Sequence, residues 1–259
     1  MKLIYDVGVE NGDDSAYYLT RADKVVGVEA NPVAAANLRR RFAPEIAAGR
    51  YVLLSVGIAE TSGVAPFWVC DDHPQWSSFD REIARRAGSR HHRVDVETRP
   101  FGSILDEFGS ADFCKIDIEG NDNLCIGDFT PGTRPRYVSV ELILGQEELQ
   151  LRLLAQKGYS AFKIISQRSF RQPTRALLAL NARLPAPLRR AVTGATAYLA
   201  RYRSRREWRF RPGSSGPFGE DTPGPWRPLA EALETCKAIG RLGDPPYDWH
   251  DIHARLDPA

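Results

Sequence analysis

The sequence LIYDVGVENGDDSAYYLTRADKVVGVEANP, residues 3–32, decides the fold that this chain is expected to adopt. It contains an apolar run that ends in a glycine turn at Gly8, a helical segment from Asp13, and a second apolar run that ends at Glu29. This order of strand, turn, helix and strand is typical of a βαβ unit. In an open α/β sheet the first turn lies where ligands bind, and an acid about 20 residues later accepts hydrogen bonds from a ribose. Gly8 and Glu29 have that spacing, so a ribose-bearing ligand is predicted here.

The residues after Gly8 indicate which ribose-bearing ligand the turn would hold. A dinucleotide fingerprint anchored at Gly8 requires glycine at two positions where this chain has Glu10 and Asp13, and Asp14 follows. Three carboxylates repel a pyrophosphate but favour S-adenosylmethionine, which carries a sulfonium and an ammonium group. The alternative is that Asp13 or Asp14 only caps the helix, a role that Asp fills well and that is compatible with a bound ligand.

The composition is that of an ordinary globular protein. The 259 residues are 42% hydrophobic and 26% charged, which predicts one large domain or one domain with an elaboration. No apolar run approaches the roughly 18 residues that a membrane span needs. Because the first strand is expected to begin at Leu3, no signal or transit peptide is predicted, and we expect a cytoplasmic protein. The four cysteines form no C-x-x-C pair, so neither a zinc site nor a disulfide framework is predicted.

The formal net charge of +2 conceals a strongly basic segment, residues 168–211. This segment contains twelve arginines and one acid, Glu207, so its charge is +11 and the rest of the chain carries −9. We call it the basic insertion, and it is expected to behave as a separate electrostatic region.

Strand-like and helix-like segments alternate through most of the chain, which predicts a doubly wound, mostly parallel sheet. Beyond Glu29, the predicted strands are residues 51–56, 64–70, 91–98, 112–118, 136–142 and 159–166, and the main predicted helices are residues 32–42, 101–108, 147–157 and 228–239. The basic insertion interrupts this alternation with two predicted helices, near residues 174–184 and 188–203, after which residues 207–211 are predicted to form a returning strand. The predicted divisions are a core, residues 1–166, a basic helical insertion, residues 167–206, and residues 207–259, which complete the core domain.

Charged residues at the ends of two predicted buried strands indicate a site. Asp117 and Glu119 end one strand, and Glu141 ends the next. A buried parallel strand does not hold charges unless its end opens onto a crevice. Asp117 and Glu119 are two residues apart, so along a strand they would point the same way and could share a proton, bind a metal or orient a hydroxyl. The alternative is a structural ion-pair cluster with Lys115.

Five segments together resemble the FkbM-type family of S-adenosylmethionine-dependent methyltransferases. They are DVGVENGDDSAYYL (6–19), VVGVEANP (25–32), GIAETSG (57–63), CKIDIEGND (114–122) and YVSVEL (137–142). The resemblance implies a Rossmann-like class I methyltransferase sheet of about seven strands with the last antiparallel, and methyl transfer to an oxygen of a sugar, glycan or natural product. The family more often has A-N-x-G where this chain has Val9-Glu10-Asn11-Gly12. The residues expected to bind the cofactor are Asp6, Gly8, Glu10, Asn11, Gly12, Ser15, Glu29, Ala30, Asn31, Gly57, Ile58 and Asp117.

Methyl transfer to an alcohol requires that the acceptor oxygen be held in line and relieved of its proton. Asp117 and Glu119 are the first candidates for that base. A divalent metal held by Asp117, Glu119 and Glu141 is a second route. His253 near Asp251 is a third, and its alternative is an ordinary histidine on a surface helix of the tail.

The basic insertion connects the sixth and seventh strands, so in this fold it is expected to cover the acceptor pocket as a lid. Its apolar residues recur at helical spacing with arginines between them, as in helices that lie on an apolar, anionic surface. Three interpretations follow: a lid packed on its own domain, peripheral contact with an anionic membrane at its inner face, and contact with acceptor phosphates.

Two other functional classes remain open. The chain could be a non-catalytic glycan- or lipid-binding protein on a methyltransferase fold, although the intact site residues argue against loss of activity. A nucleic-acid methyltransferase is disfavoured because the N/D-P-P-Y/W motif does not follow the fourth strand. The similar residues 244–247 lie far down the chain.

Overall fold

The computed structural model describes residues 1–199, 208–211, 213–242 and 248–257. The chain divides into two compact units, Met1–Pro135 and Arg136–Ala259. The predicted boundary between residues 166 and 167 therefore falls inside the second unit. None of the described helices is both long and apolar enough to cross a bilayer.

The first unit follows the predicted alternation of strands and helices closely. Its strands are β1 (Leu3–Val7), β2 (Lys24–Val28), β3 (Tyr51–Leu54), β4 (Gly57–Ile58), β5 (Gly63–Cys70), β6 (His91–Arg99) and β7 (Phe113–Ile116). Its helices are α1 (Asp13–Tyr18), α2 (Pro32–Arg41), α3 (Ala43–Ala47), α4 (Arg81–Ala84), α5 (Phe101–Phe108) and α6 (Asp122–Gly127).

Four strands of this unit form a parallel sheet in the order β3-β2-β1-β7. All five residues of β1 are buried, as expected of a central parallel strand that has both faces covered. The ring of Tyr5, in β1, contacts the ring of Phe101 edge to face, with the ring centroids 5.7 Å apart. The register places Asp6 beside Lys115. Separate from this sheet, β4, β6 and β5 form a three-stranded sheet, in which β5 is the predicted added strand.

The second unit contains β8 (Tyr137–Glu141), α7 (Glu147–Gln156), β9 (Tyr159–Ser166), α8 (Arg175–Arg183), α9 (Ala186–Leu199), α10 (Leu229–Gly240) and β10 (His250–Leu256). Its three strands run in the order β8-β10-β9, with β10 antiparallel to both neighbours. The chain thus has an α/β fold with a mostly parallel seven-stranded sheet. The predicted fold class is confirmed.

The prediction of the last strand was wrong. Residues 208–211 form no strand, and Glu207 lies outside the described residues. The strand that returns is β10, which was predicted to be a surface helix in the tail. Ile252 and Ala254 of β10 are fully buried, and the strand bonds to neighbours on both sides, so pairing across the sheet decides its conformation.

The two predicted helices of the basic insertion are present as α8 and α9. The side chain of Thr174 caps α8 by accepting the Leu177 N–H at 3.2 Å, and Leu178 is its buried anchor. Residues 200–203, which were predicted to belong to the second helix, lie outside the described part of the chain.

Candidate functional site

The glycine turn after β1 brings the ends of two strands into contact. Gly8 has a φ of +86°, and a Cβ atom at this position would lie 1.8 Å from the carbonyl oxygen of Asp117. The Asp117 N–H in turn donates to the carbonyl of Val7 at 2.9 Å. Only glycine satisfies both the left-handed backbone and this close approach. The predicted cofactor turn and the predicted catalytic segment are therefore adjacent.

Glu29, which directly follows β2, is bonded to the same turn. One carboxylate oxygen accepts the Glu10 N–H at 2.8 Å, and the other accepts the Asn31 N–H at 2.8 Å. Burial raises the pKa of Glu29, and the two N–H donors oppose that rise. Because each carboxylate oxygen has a second lone pair, both can still accept a ribose hydroxyl. Glu10 adopts a left-handed φ of +53° where its N–H meets Glu29.

A buried lysine lies between the carboxylates of the two central strands. Lys115 Nζ is 3.6 Å from Asp6 Oδ1 and 3.6 Å from Asp117 Oδ2, and it donates to the carbonyl of Gly8. Asp6 is fully buried and accepts the Ser15 hydroxyl at 2.6 Å, while burial raises its pKa. Asp6 and Ser15, which were predicted to bind cofactor, are both fully buried, and their hydrogen bond joins β1 to α1.

The loop before α1 corrects two expectations about its acids. The N-cap of α1 is Gly12, with no side-chain cap, so neither Asp13 nor Asp14 caps the helix. The Asp13 carboxylate pairs with Arg41 at 2.9 Å, and Arg41 also donates to the carbonyl of Asn11 at 2.6 Å. One of the three loop carboxylates is thus already compensated by a cation, which weakens the predicted attraction for a positive ligand.

The two carboxylates that were predicted to be catalytic lie beyond the end of β7 rather than on it. Because β7 ends at Ile116, the prediction that Asp117 and Glu119 point the same way along a strand was wrong. Glu119 has a left-handed φ of +54° in the turn that follows. Asp122 shapes this turn by accepting the Gly120 N–H at 3.0 Å and the Ile118 N–H at 3.2 Å. Sequence reasoning missed Asp122, because its side chain accepts from residues two and four positions earlier, whereas the familiar Asx turn has the side chain bond to a later residue.

Glu119 combines burial with charged neighbours. Burial, together with the nearby carboxylates of Asp117 and Asp122, raises the pKa of Glu119 to about 8. The guanidinium of Arg86, 3.0 Å from Glu119 Oε2, opposes that rise. Burial also raises the pKa of Asp122, to about 6. Glu119 can therefore take up or release a proton near neutral pH.

The segment of Gly57 and Ile58, which was predicted to bind the cofactor, is tied to the same turn. The carbonyl of Ile58 in β4 accepts the Asn121 amide at 2.8 Å, and Gly57 packs directly against the ring of Phe79. The Ser78 hydroxyl donates to the carbonyl of Glu119 at 2.6 Å. The three-stranded sheet and its loop therefore border the Glu119 turn.

The two residues after Glu29 have structural partners. The Asn31 side chain caps α2 by accepting the Val33 N–H at 3.0 Å, and Ala30 packs against the apolar cluster of the three-stranded sheet. The Asn31 side chain is therefore occupied, and only its backbone N–H serves Glu29.

Glu141 and His253 lie in the second unit. Glu141 ends β8, while His253 lies in β10, fully buried beside Ser139 Oγ at 3.3 Å. Burial lowers the pKa of His253 to about 3, so this side chain stays neutral in the core and is not on a surface helix. Across the described residues, no group of three or more His, Cys, Asp or Glu side chains is arranged to hold a metal ion, which leaves the Asp117, Glu119 and Glu141 set without structural support. All four cysteines are buried and unbridged.

The residues of the first unit fit S-adenosylmethionine. The Glu29 carboxylate keeps acceptor capacity for a ribose diol, and the Gly8 turn leaves no side chain over the strand end. The Glu10 side chain is exposed at this turn, in a suitable place for a cationic ligand.

Comparisons with known proteins identify a family. A family model described as the methyltransferase FkbM domain matches residues 6–169. The methyltransferase FkbM from Methylobacillus flagellatus KT is 17% identical with a TM-score of 0.39; the match covers 60% of this chain and 37% of that one.

Two further solved structures are precorrin-6Y C5,15-methyltransferases. The enzyme from Geobacter metallireducens is 9% identical with a TM-score of 0.39, over 99% of this chain and 80% of that one. The C-terminal domain of the enzyme from Rhodobacter capsulatus is 14% identical with a TM-score of 0.37, over 64% of this chain and 65% of that one. A search of curated proteins found no match. Because the family model covers more than half of its length, this chain belongs to the FkbM methyltransferase domain family.

Proposed function

We propose that this chain transfers a methyl group from S-adenosylmethionine to a hydroxyl oxygen of a sugar, glycan or natural product. The observation that carries the proposal is the Glu119 carboxyl, which lies in the turn beside Gly8 and whose pKa is raised to about 8. Class I methyltransferases take S-adenosylmethionine as cofactor, and the oxygen specificity rests on the presence of this base.

The residues that would hold the cofactor surround the ends of β1 and β2. Glu29 would accept the ribose hydroxyls, and the exposed Glu10 carboxylate would attract the cationic methionine end. When bound, the cofactor supplies a methyl group on a positively charged sulfur, which needs no further activation. The protein is therefore left with two tasks, to orient the acceptor hydroxyl and to remove its proton.

Glu119 is suited to remove that proton. Its ionised form is disfavoured by burial and by two neighbouring carboxylates, so its carboxylate is a stronger base than an exposed one. Activity should therefore rise with pH up to about 8, where Glu119 becomes ionised. Asp117, 3.6 Å from Lys115, remains the second candidate for the base.

The test is methyl transfer from labelled S-adenosylmethionine to a panel of sugars by Glu119→Gln and Asp117→Asn. Glu119→Gln should lower turnover by about two orders of magnitude or more, the usual contribution of a general base. Glu82→Gln, an exposed glutamate paired with Arg85, is the matched control and should keep full turnover. Unchanged turnover in Glu119→Gln would reject it as the base. Loss of activity after EDTA would instead support a metal at the carboxylates.

We also propose that the basic insertion contacts an anionic surface. Its charge of +11 supports this, as do the exposed side chains of Leu180 and Leu188 on α8 and α9. Each arginine near an anionic leaflet adds about 1 kcal/mol of attraction. The protein should co-sediment with anionic but not neutral vesicles, and roughly 0.5 M salt should release it. If the protein binds neither kind of vesicle while deletion of residues 174–204 abolishes methyl transfer, the insertion is an acceptor lid instead.

A further inference from the structure

The connection between β5 and β6, residues 71–90, touches the Glu119 turn at two points. The Ser78 hydroxyl donates to the Glu119 carbonyl at 2.6 Å, and Arg86 Nη1 lies 3.0 Å from the Glu119 carboxylate. This connection therefore borders the place where the acceptor hydroxyl must lie if Glu119 is the base. The chemical groups that the side chains of this connection can bind therefore indicate which acceptor fits the site.

Arg86 differs from Arg85 and Arg90, two other arginines of this connection, in its partner. Arg85 pairs with Glu82 at 2.7 Å and Arg90 with Asp72 at 2.6 Å, both acids of the connection itself. Arg86 instead pairs with the proposed base. Its side chain is 43% exposed, so a guanidinium with five N–H donors uses part of its capacity on Glu119 and presents the remainder to solvent. That remainder suits the paired oxygens of a carboxylate or phosphate.

The backbone around Arg86 is held in an unfavourable conformation. Ala87 has a left-handed φ of +54°, and Gly88 follows with a φ of +77°. A non-glycine residue in this region costs energy and tends to occur where a side chain must be aimed at a functional site. A partly exposed ion pair contributes little stability, so stabilisation alone does not account for the strain.

An aromatic pair lies on the same connection. The rings of His73 and Trp76 lie with their centroids 4.2 Å apart and are tilted by 40°, and His73 is exposed. Trp76 is two residues from Ser78, a span of at most about 7 Å. The two tilted rings offer an aromatic surface within reach of the Glu119 turn, against which the C–H face of a sugar ring can pack.

We propose that the acceptor is an anionic sugar, a ring that carries a carboxylate or a phosphate close to the hydroxyl to be methylated. Arg86 binds the anion, the pair His73 and Trp76 supports the ring, and Glu119 takes the hydroxyl proton. As the anion draws Arg86 from Glu119, the base loses its cation and becomes stronger. The inference rests on the proposed methyl transfer for its reaction, but the binding it describes can be measured without turnover.

The test compares Arg86→Gln with Arg85→Gln, a neighbouring arginine of similar exposure, 54% against 43%. The probes are methyl glucoside, glucuronic acid and glucose 6-phosphate, which separate a neutral ring from a carboxylate and from a phosphate. Binding is followed by saturation-transfer NMR with S-adenosylhomocysteine present, and methyl transfer is followed with labelled cofactor.

The wild-type protein should bind at least one anionic sugar about tenfold or more tightly than methyl glucoside. Arg86→Gln should lose about tenfold or more of that affinity, as expected for one charge-assisted contact, while its affinity for methyl glucoside stays unchanged. Arg85→Gln should match the wild type with all three probes. The anionic sugar that binds more tightly shows whether the carboxylate or the phosphate is the recognised group.

The inference would be overturned if the wild type bound neutral and anionic rings with equal affinity, or bound neither. Equal losses of affinity in the two arginine variants would also overturn it. If the enzyme methylated methyl glucoside but neither anionic sugar, the proposed methyl transfer would be supported and the anionic acceptor would be rejected. Arg86-dependent binding of an anionic sugar with no transfer to any probe would support the anion site and count against the proposed reaction.

Discussion

Each unit of the molecule contains a cluster of buried polar side chains, and the two clusters are built differently. The β7 cluster of the first unit comprises Asp6, Lys115, Asp117, Glu119 and Asp122. The β10 cluster of the second unit comprises Ser139, Lys163, Gln167, Asp251 and His253. The first collects acids around one lysine and reaches solvent at Asp117 and Glu119. The second combines donors with acceptors, and all five of its residues are buried.

The electrostatic consequences run in opposite directions. In the β7 cluster burial raises the pKa of Glu119 to about 8 and that of Asp122 to about 6, so Glu119 holds its proton at neutral pH. In the β10 cluster burial lowers the pKa of the bases, His253 to about 3 and Lys163 to about 8. Asp251 accepts hydrogen bonds from Gln167 at 2.8 Å and from Ser139 at 3.2 Å. A closed cluster with matched partners holds the core together, whereas an open cluster of like charges is suited to proton transfer.

The largest effect is expected at the contact that joins the Gly8 turn to the β7 cluster. Gly8→Ala places a Cβ atom 1.8 Å from a backbone oxygen, so we expect a loss on the order of 4 kcal/mol or more in the free energy of unfolding. Gly49→Ala is the control, because Gly49 is also left-handed at +69° but has no atom within 4 Å of the added Cβ. It should lose only about 1 kcal/mol. Similar losses in the two variants, by urea titration, would contradict the close approach.

The next effect concerns the pH dependence of stability at Glu119. The folded pKa of about 8 lies above the ordinary value of 4.5, so the folded chain retains this proton and loses stability as pH rises through about 8. Glu119→Gln cannot titrate and should gain roughly 3–5 kcal/mol relative to wild type between pH 5 and pH 9. The comparison is urea unfolding at both pH values, with Glu82→Gln as the control. If the difference in the free energy of unfolding between Glu119→Gln and wild type were the same at pH 5 and pH 9, burial would not hold the proton on Glu119.

The β10 cluster should respond to acid instead. The folded pKa of His253, about 3, lies below the ordinary value of 6.5, so the folded chain excludes the proton and loses stability as pH falls below 6.5. Between pH 7 and pH 5 this costs the wild type about 2 kcal/mol that His253→Gln should not lose. His92→Gln, an exposed histidine paired with Asp71, is the control and should follow the wild type. Parallel pH profiles for wild type and His253→Gln would place the histidine outside the closed core.

Local sequence patterns were sufficient where a segment depends on its own periodicity. The first βαβ unit, the added strand β5 and the helices α8 and α9 were predicted from such patterns. Residues 208–211 alternate aromatic and basic side chains as a strand does, yet they form none, while β10 contains buried polar residues that suggested a surface. The partners of those residues, Ser139 and Gln167, lie 84 to 114 positions away in the sequence, which no local pattern reports.

The candidate site divides in the same way. The spacing of Gly8 and Glu29 predicted correctly that the turn after β1 lies beside the end of β2, because this spacing follows from strand and helix lengths. The left-handed turn at Glu119 and its contact with Arg86 depend on how the β5–β6 connection packs, so sequence reasoning placed Glu119 on a strand face and missed Arg86.

The most direct test of the central claim, that the strand ends of the first unit bind S-adenosylmethionine, is calorimetric titration of the cofactor into wild type and Glu29→Ala. The wild type should bind it, and Glu29→Ala should bind at least about tenfold more weakly, a loss of about 1.5 kcal/mol or more for hydrogen bonds to a charged group. Glu60→Ala, which removes a surface glutamate of the same unit, should bind as the wild type does. No binding by the wild type, or the same affinity in Glu29→Ala, would contradict the account.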